Sequence, residues 1–239
     1  MMRHSVKSLA GFLLVFCFTA LACTIPGTGG PSQPEATPTP AGDSMTFLIP
    51  AYTVNLEPGD TVPGSQLQYV GKTGDLHDVK IDGEPAQKRV GDSFIWSGVV
   101  APGVYAEYNL RLAPDFLGPL PVAGPVEVTV LNPVSTSLTT MPEWPEAIRY
   151  NNIVLAHNVP VGWTIPGTTL VYDGVSTQGG VESARLSGLT GHPLFALGDS
   201  ITWIGSLQEN VAIRYTLRVV NFGENSLQLG GTAELLVNR

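Results

Sequence analysis

The chain has 239 residues, with 12 basic against 20 acidic side chains, a formal net charge of −8, 27 glycines, 20 prolines and two cysteines. An acidic balance of this kind, with Lys88-Arg89 the one adjacent basic pair, lacks the positive footprint that nucleic acid or an anionic head group needs. No nucleic-acid partner is expected.

The first 22 residues predict a signal peptide. Arg3 and Lys7 precede an apolar run from Leu9 to Ala22 that is too short to span a bilayer as a stable helix. Small residues at Ala20 and Ala22 suit cleavage, and the next residue is Cys23. Thr19-Ala20-Leu21-Ala22-Cys23 resembles a bacterial lipobox, with Ala20 where that motif usually has leucine. The resemblance implies cleavage before Cys23 and acylation of its sulfur. Each buried acyl methylene is worth about 0.8 kcal/mol, so two or three chains hold a protein on a membrane. Thr24 is not the aspartate that resembles an inner-membrane retention signal, so outward sorting is expected in a two-membrane bacterium. Cys17 leaves with the signal, and no intramolecular disulfide then remains possible.

Residues 23–44 read as a lipid-anchored tether rich in Pro, Thr and Gly. Pro26, Pro31, Pro34, Pro38 and Pro40 stand among Gly, Thr and Ser with little to bury, a composition expected to be disordered. As coil this leash averages about 25 Å end to end, and as polyproline II about 65 Å.

The rest predicts an all-β fold. Phe94/Trp96, Tyr108/Leu110/Leu112 and Val126/Val128/Val130 alternate with more polar neighbours, as do Ile201/Trp203, Ile213/Tyr215/Leu217/Val219 and Ala233/Leu235/Val237. That period of two marks strands with one face in a core. Pro58-Gly59-Asp60, Asp82-Gly83, Ala101-Pro102-Gly103, Gly179-Gly180 and Gly230-Gly231 supply turns.

The pattern is duplicated. Gly91-Asp92-Ser93-Phe94-Ile95-Trp96-Ser97-Gly98 returns as Gly198-Asp199-Ser200-Ile201-Thr202-Trp203-Ile204-Gly205, and the register holds through Val130 and Val237. Upstream, Val62-Pro63-Gly64-Ser65 answers to Ile165-Pro166-Gly167-Thr168. The expectation is two tandem Ig-like (Greek-key) antiparallel β-sandwich domains, at 45–132 and 148–239, each large enough to bury its own core. A semi-rigid linker, 133–147, separates them. A residue type shared by both copies is explained more simply by fold than by one active site.

The order Val-Pro-Gly-Ser, apolar strand, Gly-Asp-Ser-x-x-Trp-x-Gly, Ala-Pro-Gly, then Tyr-x-Leu-Arg-Leu resembles the conserved repeat domain of bacterial surface proteins, catalogued as domain of unknown function eleven. The likeness covers about 60 residues of each copy and leaves out the first third of the repeat. It implies an Ig-like sandwich and a surface location, and no activity.

Leu197-Gly198-Asp199-Ser200 also resembles the nucleophile block of GDS-type esterases, but no histidine follows Ser200 to serve as its base. Gly-Asp-Ser is read instead as the turn into the tryptophan strand. Trp96, Trp203, Tyr108 and Tyr215 fall on inward parity and are assigned to the core. Trp144 in the linker and Trp163 beside Gly162 are the candidate ligand-binding aromatics. Arg111/Arg218 with Glu127/Glu234 suggest one cross-strand ion pair per copy. Asp75, Asp78, Asp82 and Glu84 read better as hairpin polar groups than as a calcium site, and His77, His157 and His192 lack metal-ligand spacing. No metal or cofactor is expected. The sequence thus points to a non-catalytic, membrane-anchored surface lipoprotein acting in adhesion, as a scaffold or in protein interaction. The alternatives are a glycan- or small-ligand-binding lipoprotein and, last, an esterase at Ser200.

Overall fold

The computed structural model describes residues 43–114 and 118–239. The signal segment, Cys23 and almost all of the tether fall outside the described residues. All regular structure among the described residues is strand.

The first copy contains β1 (Ser44–Leu56), β2 (Leu67–Thr73), β3 (Leu76–Ile81), β4 (Glu84–Lys88), β5 (Ser93–Ala101), β6 (Val104–Leu112) and β7 (Leu120–Leu131). After the two-residue β8 (Thr136–Ser137), the second contains β9 (Ile148–Pro160), β10 (Val171–Gln178), β11 (Val181–Ser187), β12 (Leu194–Phe195), β13 (Ser200–Gln208), β14 (Val211–Phe222) and β15 (Ser226–Val237). The repeat therefore extends to its first third, where sequence identity is lost: Met45, opposite Val130, answers to Ile148, opposite Val237, and Leu56, opposite Leu120, answers to Val159, opposite Leu227, at an offset of 103.

Each copy forms the same two sheets, all pairs antiparallel. One sheet has the order β1-β7-β6-β5 and its twin β9-β15-β14-β13, with β8 added beyond β13; the others are β2-β3-β4 and β10-β11-β12. Three hairpin-linked strands with the first strand laid beside the last make a Greek-key order. The second strand pairs with the third here, whereas the immunoglobulin constant order puts it in one sheet with the fifth.

The alternation predicted from sequence is the burial observed: in β6, Val104, Ala106, Tyr108, Leu110 and Leu112 point in and the residues between them are exposed or half-buried. Asp82 and Gly83, at φ +53° and +84°, make the tight β3–β4 turn, a conformation that Asp-Gly favours.

The two copies share one core. Their buried side chains form a single connected cluster, and all the described residues fall in one compact unit. Its junction is reciprocal. Ile148 and Tyr150, at the start of β9, lie against Gly64 of the first copy, while Met45, at the start of β1, lies against Gly167 of the second. β1 and β9 run beside each other. The segment 133–147 carries β8, which pairs Thr136 and Ser137 with Ser206 and Gly205.

Candidate functional site

The motifs common to both copies are used in holding the fold. In Arg89-Val90-Gly91-Asp92 and Ala196-Leu197-Gly198-Asp199 the aspartate Oδ2 accepts the N–H of the residue three before it, at 2.8 Å in each. The carbonyls of the same aspartates accept the N–H groups of Leu112 and Val219, whose own carbonyls accept from Gly91 and Gly198, and this seats the turn at the strand edge. Glu57-Pro58-Gly59-Asp60 builds a third turn of this type. Arg111 Nη1 donates to Ser93 Oγ at 3.3 Å, and Ser200 is exposed at the start of β13.

Trp96 and Trp203 are buried as expected, each with its ring folded over the glycine two residues on. A Cβ on Gly98 would sit 2.5 Å from the Trp96 ring, and one on Gly205 2.0 Å from the Trp203 ring. Only glycine fits there. The indole N–H groups find different acceptors, Asp82 Oδ1 at 2.7 Å and Thr169 Oγ1 at 3.2 Å.

Tyr108 and Tyr215 are fully buried, and Gly64 and Gly167 leave room for their hydroxyls. Tyr108 donates to the Pro63 carbonyl at 2.7 Å, and its oxygen lies 2.6 Å from that of Tyr150 across the junction. Tyr52 packs edge-on against Tyr108, with ring centroids 5.8 Å apart. Burial pushes the phenols of Tyr108, Tyr150 and Tyr215 well above their ordinary range, and that of Tyr52 up to about 12.

The two candidate aromatics do not meet. Trp144 is half-buried just ahead of β9, and Trp163 is 66% exposed in the turn just after it. Thirteen residues of strand lie between them, which at about 3.3 Å per residue is roughly 40 Å. Trp163 occupies the place that Asp60 has in the first copy: its N–H bonds the Pro160 carbonyl and its carbonyl accepts from Tyr172, as Asp60 does with Glu57 and Tyr69.

Polar side chains of the second copy do gather. On the outer face of its large sheet, Asn151, Asn152, Arg214, Thr216, Thr232 and Glu234 line a hollow of about 400 Å³. A bulge in β9 opposite Glu234 creates it, with Asn152 at φ +59°. The Glu234 side chain is only 13% exposed and binds two guanidiniums, those of Arg149 and Arg214. Two cations on one carboxylate leave one net positive charge at the mouth of a polar hollow.

This triad replaces the ion pair expected from Arg218 and Glu234. Register decides it: Arg214 stands opposite Glu234, while Arg218 stands opposite Gly230. In the first copy Glu107 faces Glu127 and Arg111 faces Ala123, so the expected pair is not made there either. The sequence concealed the triad because Arg149 lies in the strand whose repeat is invisible in the residues.

Among the described residues no group of three or more His, Cys, Asp or Glu is placed to hold a metal. Asp78 of the acidic stretch accepts from Thr73 and Gln87, which hold its carboxyl below its ordinary range. His77 Nδ1 and His157 Nε2 are buried without a hydrogen-bond partner, and burial lowers the pKa of His157.

No family model matches the chain, and no curated protein or solved structure matches it.

Proposed function

We propose that the chain is a non-catalytic interaction protein of the cell surface, carried on a flexible leash from a lipid at Cys23. One observation supports the non-catalytic part above the rest. The repeated polar residues that suggest chemistry are spent on structure: Asp92 and Asp199 close turns, Tyr108 binds a backbone carbonyl, and Trp96 and Trp203 lie in the core. Ser200 has turn geometry at its back and no histidine after it in the chain. The anchored location rests on the lipobox resemblance.

Intact-mass measurement of the mature N-terminus tests the anchor. Acylated Cys23 is the expected result, with Cys23→Ser released to the soluble fraction or left unprocessed. An unmodified cysteine in membrane-extracted protein overturns it.

A second reading, capture of a glycan or a small carboxylate, is favoured by the hollow over Glu234. It offers amide and hydroxyl groups for hydroxyls and one unbalanced guanidinium charge for an anion. Binding to a glycan array that falls with Arg214→Ala but not with Trp163→Ala supports this site; dependence on Trp163 alone moves the ligand to the far end of β9.

A further inference from the structure

The two copies treat one sheet edge differently. In the second, residues 134–138 lie along β13: Val134 N–H donates to the Leu207 carbonyl at 2.7 Å, Leu138 N–H donates to Ile204 at 2.9 Å, and Ser137 and Thr136 stand opposite Gly205 and Ser206. In the first copy the matching edge is Ser97–Val100 of β5, and among the described residues β5 pairs only with β6. Exposure follows the difference. Gly205 is buried and Ser206 half-buried under β8, whereas Gly98 is half-buried and Val99 is 71% exposed. A Cβ on Gly205 would strike the Thr136 carbonyl as well as the Trp203 ring; at Gly98 the nearest atoms are those of the Trp96 ring alone.

Beside this open edge lies a hollow of about 200 Å³, lined by Gly64, Ser65, Gln66, Trp96, Val99 and Arg239. An edge strand with free N–H and C=O groups is a template for another strand, and its occupied twin shows the register and the kind of chain that fits. That chain is Val134-Ser135-Thr136-Ser137-Leu138, uncharged, small and β-compatible. The residues standing at the same distance ahead of β1, by the offset of 103, are Pro31-Ser32-Gln33-Pro34-Glu35. Their sequence does not supply the same set of donors, because Pro31 falls at the position of Val134, whose N–H bonds Leu207, and proline has none to give.

We propose that the edge Ser97–Val100 of β5 is a strand-addition site, which takes an uncharged, Ser/Thr/Val-type extended segment of a partner polypeptide antiparallel to β5, its apolar side chain entering the hollow beside Trp96. Main-chain hydrogen bonds would give the affinity and the hollow the selectivity. This deepens the interaction reading above by naming the partner's chemistry, and it rests on that reading.

The probe is a synthetic peptide with the sequence of residues 133–139, offered at several millimolar because an intramolecular cap enjoys an effective concentration on the order of millimolar. The readout is amide hydrogen exchange on the full chain. The expected result is at least tenfold slower exchange in residues 97–100, with none in 204–207, and loss of that protection in Val99→Lys, whose exposed position leaves the melting temperature unchanged. Absence of protection at 97–100, or equal protection in Val99→Lys, overturns the proposal. Protection that grows with protein concentration and without peptide also overturns it, by making the occupant a second copy of this chain. None of these results touches the anchored-interaction reading, which stands or falls on the mass of Cys23.

Discussion

Tyr52, Tyr108 and Tyr150 bring three phenols together where the copies meet, with the hydroxyls of Tyr108 and Tyr150 bonded to each other and the Tyr52 ring packed against both. Ionising any of them there would bury a charge. Their folded pKa values are raised above the unfolded value near 10, so the unfolded chain releases these protons first. Stability is therefore complete below pH 10 and falls as pH rises above it, through about pH 12 for Tyr52 and further for the other two. Tyrosinate absorbance should rise together with loss of β-sheet circular dichroism above pH 10; tyrosinate forming on a fully folded protein would contradict this account. The glycine under each indole gives a sharper test. Gly205→Ala must displace the Trp203 ring, the Thr136 carbonyl or both, and overpacking of this kind costs about 1–3 kcal/mol. Ser200→Ala, at an exposed position in the same motif, should leave the melting curve in place.

Elements were legible in the sequence where one face is buried and the other wet. The strands β5, β6, β13 and β14 were readable because Phe94, Trp96, Tyr108 and their twins recur at period two. β1 and β9 were not, although they are the longest strands. Each is interrupted by a bulge, between Ile49 and Tyr52 and between Tyr150 and Ile153, and each serves two neighbours, its own sheet and the other copy. Packing partners that differ remove the pressure for the two strands to look alike. The candidate site suffered the same loss: Glu234 was visible as a repeated residue, but Arg149 and the Asn151-Asn152 bulge sit in the unreadable strand. β8 was read as linker because two residues carry no period. Its role can be tested at Leu138, where Leu138→Pro removes the N–H donated to Ile204. The loss of one net hydrogen bond should cost about 1 kcal/mol and speed amide exchange across Ile204–Leu207, leaving β5 unchanged.

At the scale of the whole molecule the duplication argues for two folding units and the packing for one. A domain that folds alone keeps its core to itself, yet here Tyr150 completes the environment of Tyr108, Met45 packs on Gly167, and the buried side chains of both copies connect. Gln208 and Asn210 add hydrogen bonds from the second copy to the Leu131 and Pro102 carbonyls of the first. Unfolding one copy would expose apolar surface and orphan buried phenols in the other. Calorimetry should then show one transition, with calorimetric and van't Hoff enthalpies equal. Trp96→Ala and Trp203→Ala lie in different copies and each should cost about 3–5 kcal/mol, as large-to-small core changes do. Both should move that single transition downward, by on the order of 10 °C for a body of this size. Independent copies predict something else: each substitution would split off a low transition of its own and leave the other copy's melting where it was.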